Sequence, residues 1–220
     1  MNNLSDRCTG HLGRSHNNPY LQYPKFHRSF PSFISVYDNA LSKEECQIII
    51  DEFEDDKDLQ RPGAVGNNVL KPKTKISTDV RHNLSDNSSV TKLVVKCLNS
   101  NISKYTDEHP ELNRELDPWS CTYTFNVQKY KSNEGFFKEH CEVTDLKSSA
   151  LLLVWMIYLN TVEDGGTIFP KYNIKLQARE GRLVIWPAHW THLHKGEISK
   201  TKTKYITTGW IGFTDRGVFL

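Results

Sequence analysis

Apolar positions fall along this chain in two regimes, helical first and strand-like after. Residues 33–37 form a short β-prone run. Leu41-Ser42-Lys43-Glu44-Glu45 then opens a helix, because Ser42 is an N-cap residue with Glu45 at the third helical position, the reciprocal pairing of a capping box. Ile48, Ile49, Ile50 and Phe53 supply its apolar face. Residues 55–87 are charged and carry Pro62, Gly63, Gly66 and Pro72, so they read as a long loop with a short strand near 75–80. Val90, Leu93, Val94, Leu98, Ile102 and Tyr105 recur at helical spacing and predict a second helix over 88–105.

From residue 122 the period changes. Short runs of aromatic and β-branched residues alternate with turns at 122–130, 135–142, 150–159, 167–169, 174–178, 182–186, 192–194 and 204–212. That rhythm predicts a β-sandwich or barrel, not a βαβ array, and helices followed by strands make the domain α+β. The longest apolar run, 150–159, is too short to span a bilayer and reads as a buried element. Residues 1–32 are rich in Asn, Ser, Pro, Arg and His and read as an arm without a core of its own. Residues 33–220 are then a single domain with its strand core at about 120–213.

Composition narrows the setting. The 220 residues carry a net charge of +2, with a pI near 8.2, and neither value calls for a nucleic-acid or membrane partner. Cys8, Cys46, Cys97, Cys121 and Cys141 are scattered and form no CxxC pair, which speaks against a disulfide framework or zinc knuckle and for a reducing compartment. The first fifteen residues are polar and lack the apolar core of a signal peptide. The expected protein is soluble and cytoplasmic.

The candidate chemistry begins at His140-Cys141-Glu142. On a strand, His140 and Glu142 project from one face, and Cys141 points to the other, toward the core. Two imidazoles and one carboxylate are the ligand set that holds ferrous iron on one face and leaves the other open. A third ligand has to come from elsewhere, and His189, His192 and His194 lie in one short segment. If that segment is a strand, His192 and His194 share a face, and geometry leaves both open.

Longer blocks surround these residues. Tyr130 precedes Gly135 and His140-Cys141-Glu142. Tyr158-Leu159-Asn160 leads to Glu163, Asp164 and Gly165-Gly166, then to Thr167-Ile168-Phe169-Pro170. Gly181-Arg182 to Trp186, His194-Lys195-Gly196 and Lys204-Tyr205 to Trp210 follow. In this order the blocks resemble the catalytic core of the iron(II)- and 2-oxoglutarate-dependent dioxygenases, nearest to the prolyl 4-hydroxylase branch.

The resemblance implies a double-stranded β-helix (jelly-roll) core supported by the N-terminal helices. It implies His140, Glu142 and His194 as metal-binding and catalytic residues for Fe(II), with His192 a polar neighbour and His189 a turn residue. Lys204 becomes the cation for the distal carboxylate of 2-oxoglutarate, Tyr130 and Thr167 its hydroxyl partners, and Trp210 a wall of that pocket. Gly165-Gly166 would make a tight turn beside the site. O2 is the second co-substrate, and L-ascorbate an auxiliary reductant. The implied reaction hydroxylates a substrate C–H bond while 2-oxoglutarate is decarboxylated to succinate. The expected substrate is a peptide or protein; the alternatives are a small molecule or another amino-acid residue, a cupin-like metal protein that does not use 2-oxoglutarate, and a jelly-roll module that has lost catalysis.

Three departures from the family pattern stand out. Glu142 occupies the position of an aspartate, Ser148-Ser149-Ala150-Leu151 lacks the branch's peptide-contacting arginine, and Phe137 replaces a tyrosine. The 61–81 loop is the expected lid, with Lys71, Lys73, Lys75 and Arg81 as candidate contacts for an acidic or phosphorylated target.

Overall fold

All three α-helices precede the long strand run in the computed structural model, which describes residues 32–66 and 69–214. The predicted arm, Ser32 apart, lies outside the described residues. Strand β1 (Ser35–Tyr37) leads into helix α1 (Lys43–Asp55). The capping box forms as expected: Ser42 Oγ accepts from the Glu45 amide, and Glu45 accepts from the Ser42 amide at 2.8 Å. The buried face of α1 differs in part from the sequence reading. Ile49 and Phe53 are buried with Cys46, whereas Ile48 is exposed, because the 46–49–53 stripe is the one aligned on the core.

The predicted loop over 55–87 carries three strands, β2 (Arg61–Pro62), β3 (Lys75–Ile76) and β4 (Thr78–Asn83). Helix α2 (Ser89–Glu108) starts at the N-cap Ser88, and the short α3 (Glu111–Arg114) follows. The remaining strands are β5 (Trp119–Tyr130), β6 (Gly135–Phe136), β7 (Leu151–Tyr158), β8 (Val162–Phe169), β9 (Ile174–Ala178), β10 (Leu183–Pro187), β11 (Lys195–Gly196) and β12 (Lys204–Phe213).

Seven strands form the large sheet in the order β1-β10-β7-β12-β5-β4-β2, antiparallel throughout, and β11-β8-β9 form a small one. Alternation along β7 shows how the layers are built. Leu153, Trp155 and Ile157 enter a core shared with α1 and α2, whereas Val154, Met156 and Tyr158 enter a second core with Val162 and Phe169 of β8. Because β7 is buried on both faces, its sequence is a continuous apolar run rather than an alternating one. The outcome is the α+β sandwich expected from the pattern.

Three local expectations are corrected. The strand expected at 135–142 ends at Phe136, and His140 makes only an isolated bridge to His194. The strand expected at 192–194 is replaced by a 3-10 turn over Trp190–His192. Gly165-Gly166 are not a tight turn; they lie inside β8, where the pairing with β9 shifts register between Val162 and Thr167. A Cβ on Gly166 would stand 2.0 Å from the Leu176 carbonyl oxygen, so here glycine permits close strand approach. Among the described residues, no helix is long and apolar enough to cross a membrane.

Candidate metal centre and its cleft

His140 and His194 meet backbone to backbone. Each amide donates to the other's carbonyl, at 3.0 and 2.9 Å, and the two rings lie 4.3 Å apart. The Glu142 and Val143 amides both donate to the Ala188 carbonyl, which fixes the carboxylate-bearing residue against the end of β10. This bridging does the work that a regular strand was expected to do. One donor atom from each of His140, Glu142 and His194 falls within 4.8 Å of the others. Glu142 Oε1 lies 3.6 Å from Nε2 of both histidines.

The imidazoles are prepared as ligands. Nδ1 of His140 faces the Lys138 carbonyl at 3.1 Å, and Nδ1 of His194 faces the His192 carbonyl at 3.0 Å. A carbonyl only accepts, so each ring carries its proton on Nδ1 and turns an Nε2 lone pair toward the gap. Burial pushes both pKa values down to about 4, so the rings are neutral at physiological pH. Phe136 stacks on His140 at 3.6 Å, and Trp186 meets His194 edge-on at 5.0 Å. Two neutral imidazoles and a carboxylate are donors that suit a divalent transition-metal ion.

His192 is not a neighbour of this centre in the sense expected. Its Nε2 faces the Ser32 carbonyl at 2.7 Å, and its ring stacks on Tyr172. His189 opens the 3-10 turn, its carbonyl accepting from the His192 amide. Cys141 is half-buried, donates to the Val143 carbonyl at 3.3 Å and lines the cleft rather than the core.

A cleft of about 1160 Å³ contains the three donors together with Tyr130, Thr167, Lys204 and Trp210. On β12, Lys204, Ile206, Thr208 and Trp210 share its inner face, and on β5 so do Asn126, Gln128 and Tyr130. Lys204 is buried; its ammonium donates to the Gly165 carbonyl at 2.8 Å and the Glu197 carbonyl at 3.3 Å. Burial lowers its pKa to about 8, with Glu197 and Asp164 pulling the other way. An ammonium has three N–H donors, so one is left for a ligand. Thr167 Oγ1 sits 2.6 Å from the Tyr158 hydroxyl.

Tyr130 lies across the sheet from Lys204, whose ammonium is 5.3 Å from the tyrosine ring centre. Its hydroxyl donates to Gln128 Oε1 at 2.7 Å, while Gln128 Nε2 donates to Asp79 at 3.1 Å. Sequence reasoning missed Gln128, although two-residue alternation with Tyr130 marks it. Trp210 is more than a wall, because its indole N–H donates to Glu142 Oε2 at 2.9 Å. The 61–81 segment does border the cleft through Lys71 and Arg81, but Lys75 is buried and paired with Asp79 at 2.7 Å. Lys75 thus lines the cleft with its charge already paired inside the protein.

The three donors, with Tyr130, Thr167, Lys204 and Trp210, sit in a matched sequence region. Residues 125–212 match the 2OG-Fe(II) oxygenase superfamily. A probable prolyl 4-hydroxylase 3 of Arabidopsis thaliana is 28% identical over 150 residues, which are 65% of this chain; the chain spans about half of that relative's length, 47%. Among solved structures, the viral collagen prolyl hydroxylase of Paramecium Bursaria Chlorella virus-1, in its 2OG complex, aligns with a TM-score of 0.61 at 21% identity, over 83% of this chain and 97% of that one. A prolyl hydroxylase of Trichoplax adhaerens, in complex with a hypoxia inducible factor oxygen degradation domain peptide fragment, gives a TM-score of 0.65 at 16% identity, over 82% and 84% of the two chains. These likenesses show the fold to be the double-stranded β-helix. Residues 125–212 are thus similar to the 2OG-Fe(II) oxygenase superfamily, and 65% of the chain is similar to a prolyl 4-hydroxylase.

Proposed function

We propose that the chain is an Fe(II)- and 2-oxoglutarate-dependent hydroxylase of the prolyl 4-hydroxylase-like type, with His140, Glu142 and His194 holding the ferrous ion. The observation that carries this reading is the meeting of three donor atoms, from segments distant in the sequence, in a cleft that also contains a buried ammonium. When bound, the ferrous ion supplies the O2 chemistry that couples decarboxylation of 2-oxoglutarate to hydroxylation of a C–H bond.

The protein's own part is binding and exclusion. His140 and His194 present neutral lone pairs, and Glu142 brings the negative charge that offsets part of a divalent cation's charge. Lys204 receives the distal carboxylate of 2-oxoglutarate with its remaining N–H, in a charge-assisted hydrogen bond. Thr167 and the Tyr130 ring flank that position, while Ile206, Met156 and Val154 keep it dry. L-ascorbate serves as the reductant that keeps the iron ferrous.

A peptide or protein segment is the proposed substrate. A pocket for one small ligand is typically about 300–1,000 Å³, so a cleft of about 1160 Å³ leaves room beside a five-carbon diacid. Leu70, exposed at the rim, offers an apolar contact to such a segment. A second reading, hydroxylation of a small molecule, is favoured by the lack of an arginine at 148–151 and by Phe137. The described cysteines are all free thiols, in keeping with a reducing, cytoplasmic setting.

Succinate release from 2-oxoglutarate by the Fe(II)-loaded protein tests the reading. Turnover by the wild type, with His194→Ala and Lys204→Ala at background, is the expected result. Undiminished turnover in His194→Ala, or Fe(II) uptake without any succinate, would overturn it; the second outcome would identify a binding module.

A further inference from the structure

Glu142 is held from a side that the sequence does not advertise. One carboxylate oxygen, Oε2, accepts from the Trp210 indole at 2.9 Å. The other, Oε1, stands 3.6 Å from Nε2 of both His140 and His194. An indole N–H is a donor only, so it orients a carboxylate without competing for a cation. Trp210 is itself placed by the sheet. It follows Lys204, Ile206 and Thr208 on the cleft face of β12, and pairing with β5 slips between Gly209 and Ile211, leaving Trp210 opposite Val154 of β7 alone. The two extra residues belong to β5, so β12 keeps its two-residue alternation and carries Trp210 on the cleft face.

A free glutamate has three side-chain torsions and two equivalent oxygens, so it can approach a cation with either oxygen or both. Half-buried Glu142 has lost that choice. We propose that Trp210 is a positioning residue for the metal centre: its indole fixes Oε2, so that Glu142 meets the ion through Oε1 alone. The inference rests on the reading of His140, Glu142 and His194 as ligands. It also predicts why the length of this side chain matters. An aspartate here would fall short by one C–C bond, about 1.5 Å, and could not keep both the indole and the imidazoles within reach.

The test uses the full-length protein freed of metal and titrated with Mn(II), with the visible spectrum of the Co(II) form as a second readout. Removing a partner that orients a metal ligand typically weakens affinity about 10–100-fold. Trp210→Phe is expected to do so and to shift the Co(II) spectrum. Glu142→Asp is expected to weaken binding as well, and adding Trp210→Phe to it should cost less than a further twofold, because the contact is already lost. Trp210→Gln, which restores an N–H donor without the ring, should recover part of the affinity and serves if the Phe variant folds poorly. Mn(II) binding within threefold of wild type in Trp210→Phe, or full additivity with Glu142→Asp, overturns the proposal. If His194→Ala still abolishes binding, only the role of Trp210 falls. Wild-type protein that takes up no Mn(II) removes the ligand reading and this inference together.

Discussion

Lys204 is a cation in surroundings that disfavour one, and its affinity for an anion is therefore tied to pH. Burial pulls its pKa from 10.5 to about 8, against the charges of Glu197 and Asp164. That difference corresponds to about 3 kcal/mol, at about 1.4 kcal/mol per pH unit. Between pH 8 and 10.5 the unfolded lysine keeps a proton that the folded one has released, so stability rises with pH across that window. Below pH 8 both states are protonated, and the full cost of the buried charge is present. An anion that pairs with the ammonium relieves part of that cost. Affinity for 2-oxoglutarate, measured by calorimetry on the Mn(II)-loaded protein, should be flat from pH 6.5 to 7.5. Above about pH 8 it should weaken by nearly tenfold per pH unit, as the ammonium deprotonates. A hydrogen bond to a charged group is worth about 1.5–3 kcal/mol, so Lys204→Met should bind about 10–100-fold more weakly at pH 7 and lose the pH dependence. Its folding stability should change little, because removing the buried charge offsets the two lost hydrogen bonds to the Gly165 and Glu197 carbonyls. Constant wild-type affinity up to pH 9.5, or an unchanged slope in Lys204→Met, would refute this reasoning.

Other outcomes follow from single contacts. His192→Ala should retain measurable succinate release and lose stability in a thermal melt, since its ring serves Ser32 and Tyr172 rather than the metal gap; turnover at background would contradict this. Gly166→Ala should lower the unfolding free energy, read from urea denaturation, by about 1–3 kcal/mol or more, because the new methyl meets the backbone carbonyl of Leu176; an unchanged value would show that β8 and β9 can part freely. Ser42→Ala should cost about 1 kcal/mol in the same assay and leave turnover intact, since the capping box lies on α1.

Much of the scaffold is legible before any coordinates. Ser42 and Glu45 announce a helix start because the capping box is local chemistry, and the 150–159 run announces β7 because burial on both faces removes polar positions. The candidate trio of His140, Glu142 and His194, which the fold brings together, is singled out in the sequence by its spacing to Lys204 and the surrounding blocks. What stays hidden depends on tertiary contact. Residues 137–142 and 190–194 have no period of their own and are shaped by the mutual bridge of His140 with His194. Gly165-Gly166 read as a turn because the chain alone does not show the Leu176 carbonyl that requires the second glycine or the Val162 side chain that crowds the first. The bond from Trp210 to Glu142 joins residues far apart in sequence, as does the one from Gln128 to Asp79. Only the inward-facing alternation of β5 and β12 hints at either.

A crystal structure of the Mn(II)-soaked protein, read at the metal's anomalous scattering peak, would locate the ion itself. One strong peak is expected in direct contact with His140 Nε2, Glu142 Oε1 and His194 Nε2, with Glu142 Oε2 still on the Trp210 indole. A peak bound elsewhere, or none between those three side chains at saturating Mn(II), would contradict this placement.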